Sequence, residues 1–287
     1  MYSIQKHYRD DPALRRSFND LAGKTFGLDF ENWYQNGFWG DAYDPYSVVV
    51  DGQVVANVSV NRTDLMVDGC RLRLLQLGTV MTAEEYRRRG MIRAILAQIE
   101  ADFPEVDGIY LFANDSVLDF YPRFGFRRAA EYQYSRPVSN AGDSIMVRIP
   151  METPADWQAL GKAMAASRFR EGCQMVDNPG LIFFYVSQFM RDCVYCCRAL
   201  DAWAIAAREG DSLLLHNVFA GENVTLEAVI GAFGREVGQV KLGFAPTCRE
   251  GFSRSEIREE DTTFFVKGPA FADFSQKGLR IPTLSHA

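Results

Sequence analysis

Val80-Met81-Thr82-Ala83-Glu84-Glu85-Tyr86-Arg87-Arg88-Arg89-Gly90-Met91-Ile92-Arg93 is the stretch whose reading decides the fold. It joins an apolar strand, Leu72 to Met81, to a segment in which Ile92, Ile95, Leu96 and Ile99 recur at helical spacing. Between the two lies a basic loop with a single glycine. A helix N-terminus carries free backbone N–H groups and a partial positive charge, and three arginines ahead of Gly90 add to it. The turn therefore reads as a site for an anion such as phosphate or pyrophosphate. Taken alone, these residues also admit a plainer reading, a solvated arginine run that opens a helix.

Outward from this stretch the pattern is regular. Met1 to His7 reads as a short strand, and Asp11-Pro12 starts a helix with Leu14, Phe18, Leu21 and Ala22 on one face. Phe30 to Trp39 reads as a second helix plus loop. Tyr46 to Val50 and Val54 to Val60 form a hairpin across Asp51-Gly52, and a second Asp68-Gly69 turn leads into the strand already named. After the helix from Arg89 to Phe103 come a strand at Gly108 to Ala113, a short helix at Val117 to Phe124 and a strand at Phe126 to Ser135. A turn-rich linker, Arg136 to Asp143, divides the chain into units 1–137 and 144–287. The second unit repeats the element order, β-α-α-β-β-β-α-β, without repeating the residues, as two copies of one fold would, the second degenerate. The expected class is a mixed α/β (α+β) fold. Each unit is a mostly antiparallel central sheet flanked by helices, and a plain doubly wound sheet is excluded.

Composition narrows the function. The 287 residues carry a formal net charge of −6, the wrong sign for a nucleic-acid binder. The N-terminal residues lack the apolar core of a signal peptide, and the longest apolar run, Leu181 to Val186, is too short to span a membrane. A soluble cytoplasmic protein is expected; self-association is left open. Of the six cysteines, Cys193-Val194-Tyr195-Cys196-Cys197 invites a metal reading. No second ligand pair or suitably spaced histidine accompanies it, so no metal is expected and the segment reads as a strand.

A second motif meets the first. Asn114 closes an apolar strand, and Phe120-Tyr121-Pro122-Arg123-Phe124-Gly125-Phe126 follows. With these residues the chain resembles the GNAT acetyltransferases, whose pyrophosphate loop reads Arg/Gln-x-x-Gly-x-Gly/Ala. Their later signature reads Asn, then Tyr seven residues on, then x-x-x-Gly-Phe, which Asn114, Tyr121, Gly125 and Phe126 match in full. The motif-level resemblance covers residues 75–130. It implies acetyl-CoA as co-substrate and direct transfer of the acetyl group to a primary amine. Val80, Met81 and Thr82 would hold the acetyl carbonyl and pantetheine, and Arg88, Arg89, Gly90, Met91, Ile92 and Arg93 the pyrophosphate. Asn114 would bind the cofactor arm or an ordered water. Tyr121 would protonate the leaving thiolate, a role a phenol near pKa 10 can fill. Two departures stand out: Arg88 replaces a frequent glycine, and Ile92 stands where glycine or alanine is usual.

The loop is most similar to that of the enhanced-intracellular-survival branch, whose members pair an active unit with a degenerate one and add a sterol-carrier-like domain. The present chain matches the first two domains and is too short for the third. The branch implies a small-molecule amine acceptor, polyamine-like or aminoglycoside. In the second unit Ala220-Gly221-Glu222-Asn223-Val224 stands where the basic loop would be, with no arginine and one acid. For the base that deprotonates the amine, Asp29, Glu31, Asp41, Asp44, the chain's C-terminal carboxylate and a water held by Asn114 all stay open. A protein or peptide acetyltransferase and a non-catalytic acyl-CoA sensor are the rival functions. Tyr121 counts against the sensor, since binding alone needs no proton donor.

Overall fold

The computed structural model describes residues 2–286. In chain order the first part holds β1 (Ile4–Gln5), α1 (Pro12–Phe26), α2 (Glu31–Gln35), β2 (Tyr43–Val50), β3 (Gln53–Arg62), β4 (Asp64–Val67), β5 (Cys70–Leu72), β6 (Leu74–Thr82), α3 (Met91–Asp102), β7 (Gly108–Ala113) and β8 (Arg127–Arg128). The second holds β9 (Tyr132–Pro137), β10 (Val147–Arg148), α4 (Pro154–Ala166), β11 (Cys173–Val176), α5 (Pro179–Gln188), β12 (Val194–Cys197), β13 (Ala202–Glu209), β14 (Ser212–Phe219), α6 (Leu226–Ala232), β15 (Gln239–Leu242), β16 (Ser253–Glu256) and β17 (Thr263–Lys267). Local chemistry explains most starts and stops. Asp11 caps α1 by accepting from the amides of Ala13 and Leu14, and Gly27, at φ 70°, ends it. Both Asp-Gly turns have positive φ at both residues, as tight hairpins require (51° and 77° at Asp51-Gly52, 47° and 80° at Asp68-Gly69).

The strands assemble into two seven-stranded sheets, β1-β2-β3-β6-β7-β17-β8 and β10-β12-β13-β14-β15-β9-β16, with β11-β4-β5 as a small third sheet between the units. The mixed α/β class is as the sequence reads, and Cys193–Cys197 does contain a strand. The division at 137/144 does not separate the sheets, however. The expected single strand from Phe126 to Ser135 breaks in two. Its first piece, β8, pairs with β17, while its second, β9, lies in the other sheet between β15 and β16. In return β17, from the far end of the chain, pairs along the whole of β7. Each unit thus completes its sheet with a strand from the other half. Without β17, the buried strand β7 would present an open edge of unpaired backbone groups.

The chain crosses between sheets at Glu131, a buried acid. Its Oε1 accepts from the Ile281 amide at 2.7 Å, and its backbone carbonyl accepts from Ile257. Arg280, also buried, donates to Gln133 Oε1 at 2.5 Å and to the Leu242 carbonyl at 3.2 Å. Burial pushes the Glu131 carboxyl up to about 7, against the opposing pull of the Arg280 charge. This polar seam ties segment 279–286 to the junction. The apolar core lies in two bodies. One, under α3, holds Ile95, Ile99, Leu111 and Phe265; the other runs from Phe18 and Trp33 through Phe184 to Leu215 and Leu284. Fully burying a side chain such as Ile95 contributes about 1.5–3 kcal/mol.

Candidate active site

The parallel strands β6 and β7 pair at only three positions, Leu74↔Gly108, Leu75↔Ile109 and Gln76↔Tyr110. Beyond these, β6 runs on to Thr82 paired with β3, and β7 runs on to Ala113 paired with β17. The two central strands part, opening a wedge between Leu77–Thr82 and Leu111–Ala113. A bulge in β6 accompanies the parting. Thr79 and Val80 together face one residue of β3, Val58, and Thr79 holds φ at 42°.

A non-glycine residue in that conformation persists only where its surroundings over-determine it. Here a buried polar chain does so. Asn57 Nδ2 donates to the Thr79 carbonyl at 2.9 Å, and Tyr43 Oη lies 3.1 Å from Thr79 Oγ1. Thr79 Oγ1 donates to Ser59 Oγ at 2.5 Å, Ser47 Oγ donates to Asn57 Oδ1 at 2.8 Å, and Tyr8 Oη lies 2.7 Å from Ser47 Oγ. The sequence reading missed these residues. The signal available was polar Ser47, Asn57 and Ser59 on otherwise apolar strands, since buried polar groups must find partners.

The loop from β6 to α3 makes one 3₁₀ turn, Glu84–Tyr86, and then two left-handed residues, Arg88 at φ 63° and Gly90 at φ 76°. Gly90 caps α3 with no side-chain hydrogen bond, and the first intrahelical bond is Ala94 N to Gly90 O, 3.1 Å. The amides of Met91, Ile92 and Arg93 therefore stand open. Arg89 is tied back to the Glu85 carbonyl at 2.7 Å, and Arg93 sits over the Phe124 ring at 5.1 Å. The exposed Arg88 side chain makes no hydrogen bond or ion pair among the described residues. The bulk at Ile92 does not crowd the loop, because its side chain points down into the core under α3. The loop thus keeps an open, cationic helix N-terminus beside the wedge, which fits a pyrophosphate.

Asn114, exposed, closes β7. The short helix expected at Val117–Phe124 is instead two 3₁₀ turns, Asp115–Val117 and Tyr121–Phe124; Pro122 favours the tight start of the second and Gly125, at φ 83°, ends it. Tyr121 is buried against Phe120, Phe126 and Phe265, with ring centroids 5.3, 6.1 and 5.6 Å away. Phe265 comes from β17, so the second half of the chain builds one wall of this site. The Tyr121 hydroxyl makes no hydrogen bond among the described residues, and burial pushes its pKa up to about 12. It stays protonated at neutral pH, an acid with a free donor. Val80, Tyr121, Met91 and Ile92 contribute to one apolar cluster, whereas Met81 faces the other side of the sheet.

The acidic candidates for the base do not gather at the wedge. Glu31 pairs with Arg15 at 2.9 Å, which holds its carboxyl below the usual range. Asp29 accepts from the Glu31 amide at the start of α2, and Asp41 pairs with Arg9 at 2.7 Å. Asp44 pairs with His7 at 2.8 Å in a cleft of about 480 Å³ that also holds Asp102 and Phe103, at the far end of α3 from the loop. The C-terminal carboxylate lies outside the described residues.

The second unit repeats the parting of strands and then fills it. β14 and β15 pair from Ser212↔Gln239 to Leu215↔Leu242. Beyond, Thr283 N donates to the Gly243 carbonyl at 2.8 Å, and Thr283 Oγ1 lies 2.9 Å from His216 Nδ1. The helix that follows, α6, is capped by Thr225, which accepts from the Ala228 amide, and carries Glu227 in its first turn. The cap takes one first-turn amide, and the Glu227 charge beside the others disfavours an anion.

An open helix N-terminus thus faces two parted central strands, with a protonated tyrosine in the same apolar cluster. Residues 14–129 match the acetyltransferase (GNAT) domain model, which supports an acyltransferase. No curated protein matches the chain by sequence. Among solved structures it is similar to Eis1 from Mycobacterium abscessus, at 15 % identity and TM-score 0.59, over 94 % of this chain and 74 % of that one. It is also similar to a GCN5-related N-acetyltransferase from Kribbella flavida, at 16 % identity and TM-score 0.53, over 93 % and 73 %. A third, from Anabaena variabilis, shares 12 % identity and TM-score 0.53, over 92 % and 72 %. At such identities the likeness is one of fold, and it extends over both units. No helix among the described residues is long and apolar enough to cross a membrane.

Proposed function

We propose that the chain transfers an acetyl group from acetyl-CoA to a primary amine of a small molecule, using the wedge of the first unit alone. The observation that carries this reading is the open N-terminus of α3 at the mouth of the parted β6 and β7. The amides of Met91, Ile92 and Arg93, with Arg88 and Arg89, hold the pyrophosphate. Backbone groups of Val80, Met81 and Thr82, freed from β7, hold the acetyl carbonyl and pantetheine, and Asn114 holds the cofactor arm or a water. The neutral amine attacks the thioester carbon directly, the C–S bond breaks as the amide C–N bond forms, and the proton shed by the nitrogen passes to solvent water. Tyr121 gives its proton to the departing thiolate; its raised pKa keeps the hydroxyl neutral and protonated at neutral pH. The second unit, its own wedge filled, helps to wall the acceptor side, which favours a small amine over a protein tail.

The test is release of free thiol from acetyl-CoA in the presence of spermidine, kanamycin A or a short peptide with a free N-terminus. Thiol release with a small amine supports the reading. Release with the peptide alone makes the protein a peptide acetyltransferase, and CoA binding without release under any condition leaves a sensor.

A further inference from the structure

The face of the first sheet away from α3 carries a device that the acetyltransferase reading does not use. Ile109, Leu111 and Ala113 of β7 pack on the α3 side, while Tyr110 and Phe112 point to the opposite face. There the segment Pro282–His286 lies against them. Tyr110 Oη donates to the Ser285 carbonyl at 2.8 Å, Thr283 is held by His216, and the Glu131 carboxyl fixes the base of the segment at Ile281. The result is a flat stack of the His286 imidazole on the Phe112 ring, with centroids 3.9 Å apart and planes at 18°. Phe112 lies on the part of β7 that has already left β6.

The tautomer of this imidazole is fixed. Nε2 lies 3.1 Å from the Ile281 carbonyl, which can only accept, so Nε2 carries the proton and Nδ1 keeps its lone pair. Burial and, next, the positive charge of Arg280 pull the His286 pKa down to about 3, so the ring is neutral at any ordinary pH. Nδ1 makes no hydrogen bond among the described residues, and the residue is half-buried rather than sealed. In the reading proposed above, a cofactor gripped at the N-terminus of α3 would take the α3 side of the wedge, which leaves the nucleophile the other face, the one that carries Phe112 and His286.

We propose that His286 Nδ1 accepts an N–H hydrogen bond from the acceptor amine and orients it toward the thioester carbon at the parting of β6 and β7. The inference rests on the acetyltransferase reading and deepens it: His286 is an acceptor-positioning residue that selects amines with an N–H directed along the Phe112 face. It makes no covalent bond and holds no proton of the reaction.

Two variants test it. His286→Phe keeps the flat ring on Phe112 and removes the lone pair, while His286→Gln restores an acceptor oxygen. With spermidine as acceptor, His286→Phe should raise the KM for the amine about tenfold, the loss of one hydrogen bond of about 1.4 kcal/mol. The KM for acetyl-CoA should stay within twofold, and His286→Gln should recover part of the loss. An unchanged amine KM in a folded His286→Phe protein overturns the proposal. So does a fall in kcat alone, or an equal rise in both KM values, which is what a merely structural role would give. Should His286→Phe unfold, ¹⁵N spectra of the wild-type protein decide: adding spermidine to the CoA-bound protein must move the Nδ1 resonance of His286, and a fixed resonance overturns the proposal. A wild-type protein that acetylates no amine fails the parent reading instead, so the two failures are distinguishable.

Discussion

Arg88 and Gly90 sit in the same left-handed backbone region, φ 63° and 76°, yet only one is a residue suited to it. This explains why glycine is frequent at the first position in the family that the loop resembles. Arg88 is exposed and its side chain makes no hydrogen bond or ion pair among the described residues, so Arg88→Gly should stabilise the protein by about 0.5 kcal/mol, after the extra chain entropy of glycine is subtracted. Gly90→Ala should do the reverse, losing about 1 kcal/mol, although no atom lies within 4 Å of where its Cβ would stand. Urea midpoints of the two variants check the pair; a fall for Arg88→Gly would show that its guanidinium makes a contact in solution. The residues of this loop and of the Asn114–Tyr121–Gly125 motif were legible in the sequence because their chemistry is local. His286 was not, because a ring two strands and a whole second unit away along the chain meets Phe112 only once the sheets are built.

At the scale of the element, α3 and α6 occupy equivalent places after a central strand, and they differ at their first turn. The start of α3 has no side-chain cap and is flanked by arginines; that of α6 is capped by Thr225 and carries Glu227. CoA titrated calorimetrically should therefore bind one site per chain, and Gly90→Asp, which sets an acid at the open amides, should abolish that site. A stoichiometry near two would contradict the degenerate reading of the second unit, and unchanged affinity in Gly90→Asp would move the anion site elsewhere. Helices and hairpins with caps and Asp-Gly turns were readable to within a few residues. The segment from Val117 to Phe124 was read as a helix because apolar residues recur there, but Pro122 and Gly125 confine it to tighter turns.

Across the whole molecule the exchange of β9 and β17 makes the two units one folding body. Residues 1–137 expressed alone lack the strand that covers β7 and the Phe265 wall of Tyr121, so they should remain soluble only poorly and show no cooperative melting transition. Adding residues 138–287 in trans should restore a transition, since the missing strands then find their edges. An independently folded, CoA-binding 1–137 fragment would refute the exchange. The intact chain should melt in one calorimetric step. This level was hidden from sequence: strand pairing between residues 113 and 263 leaves no local period, and a Phe126–Ser135 run that serves two sheets looks like one strand.

The role of Tyr121 as the acid that releases the thiolate is tested most directly by single-turnover acetyl transfer in Tyr121→Phe, which keeps the ring against Phe265 and removes the hydroxyl. CoA affinity should be unchanged, and the single-turnover rate should fall by about 10²–10⁴-fold. Normal CoA binding with a rate close to that of the wild-type protein would contradict it.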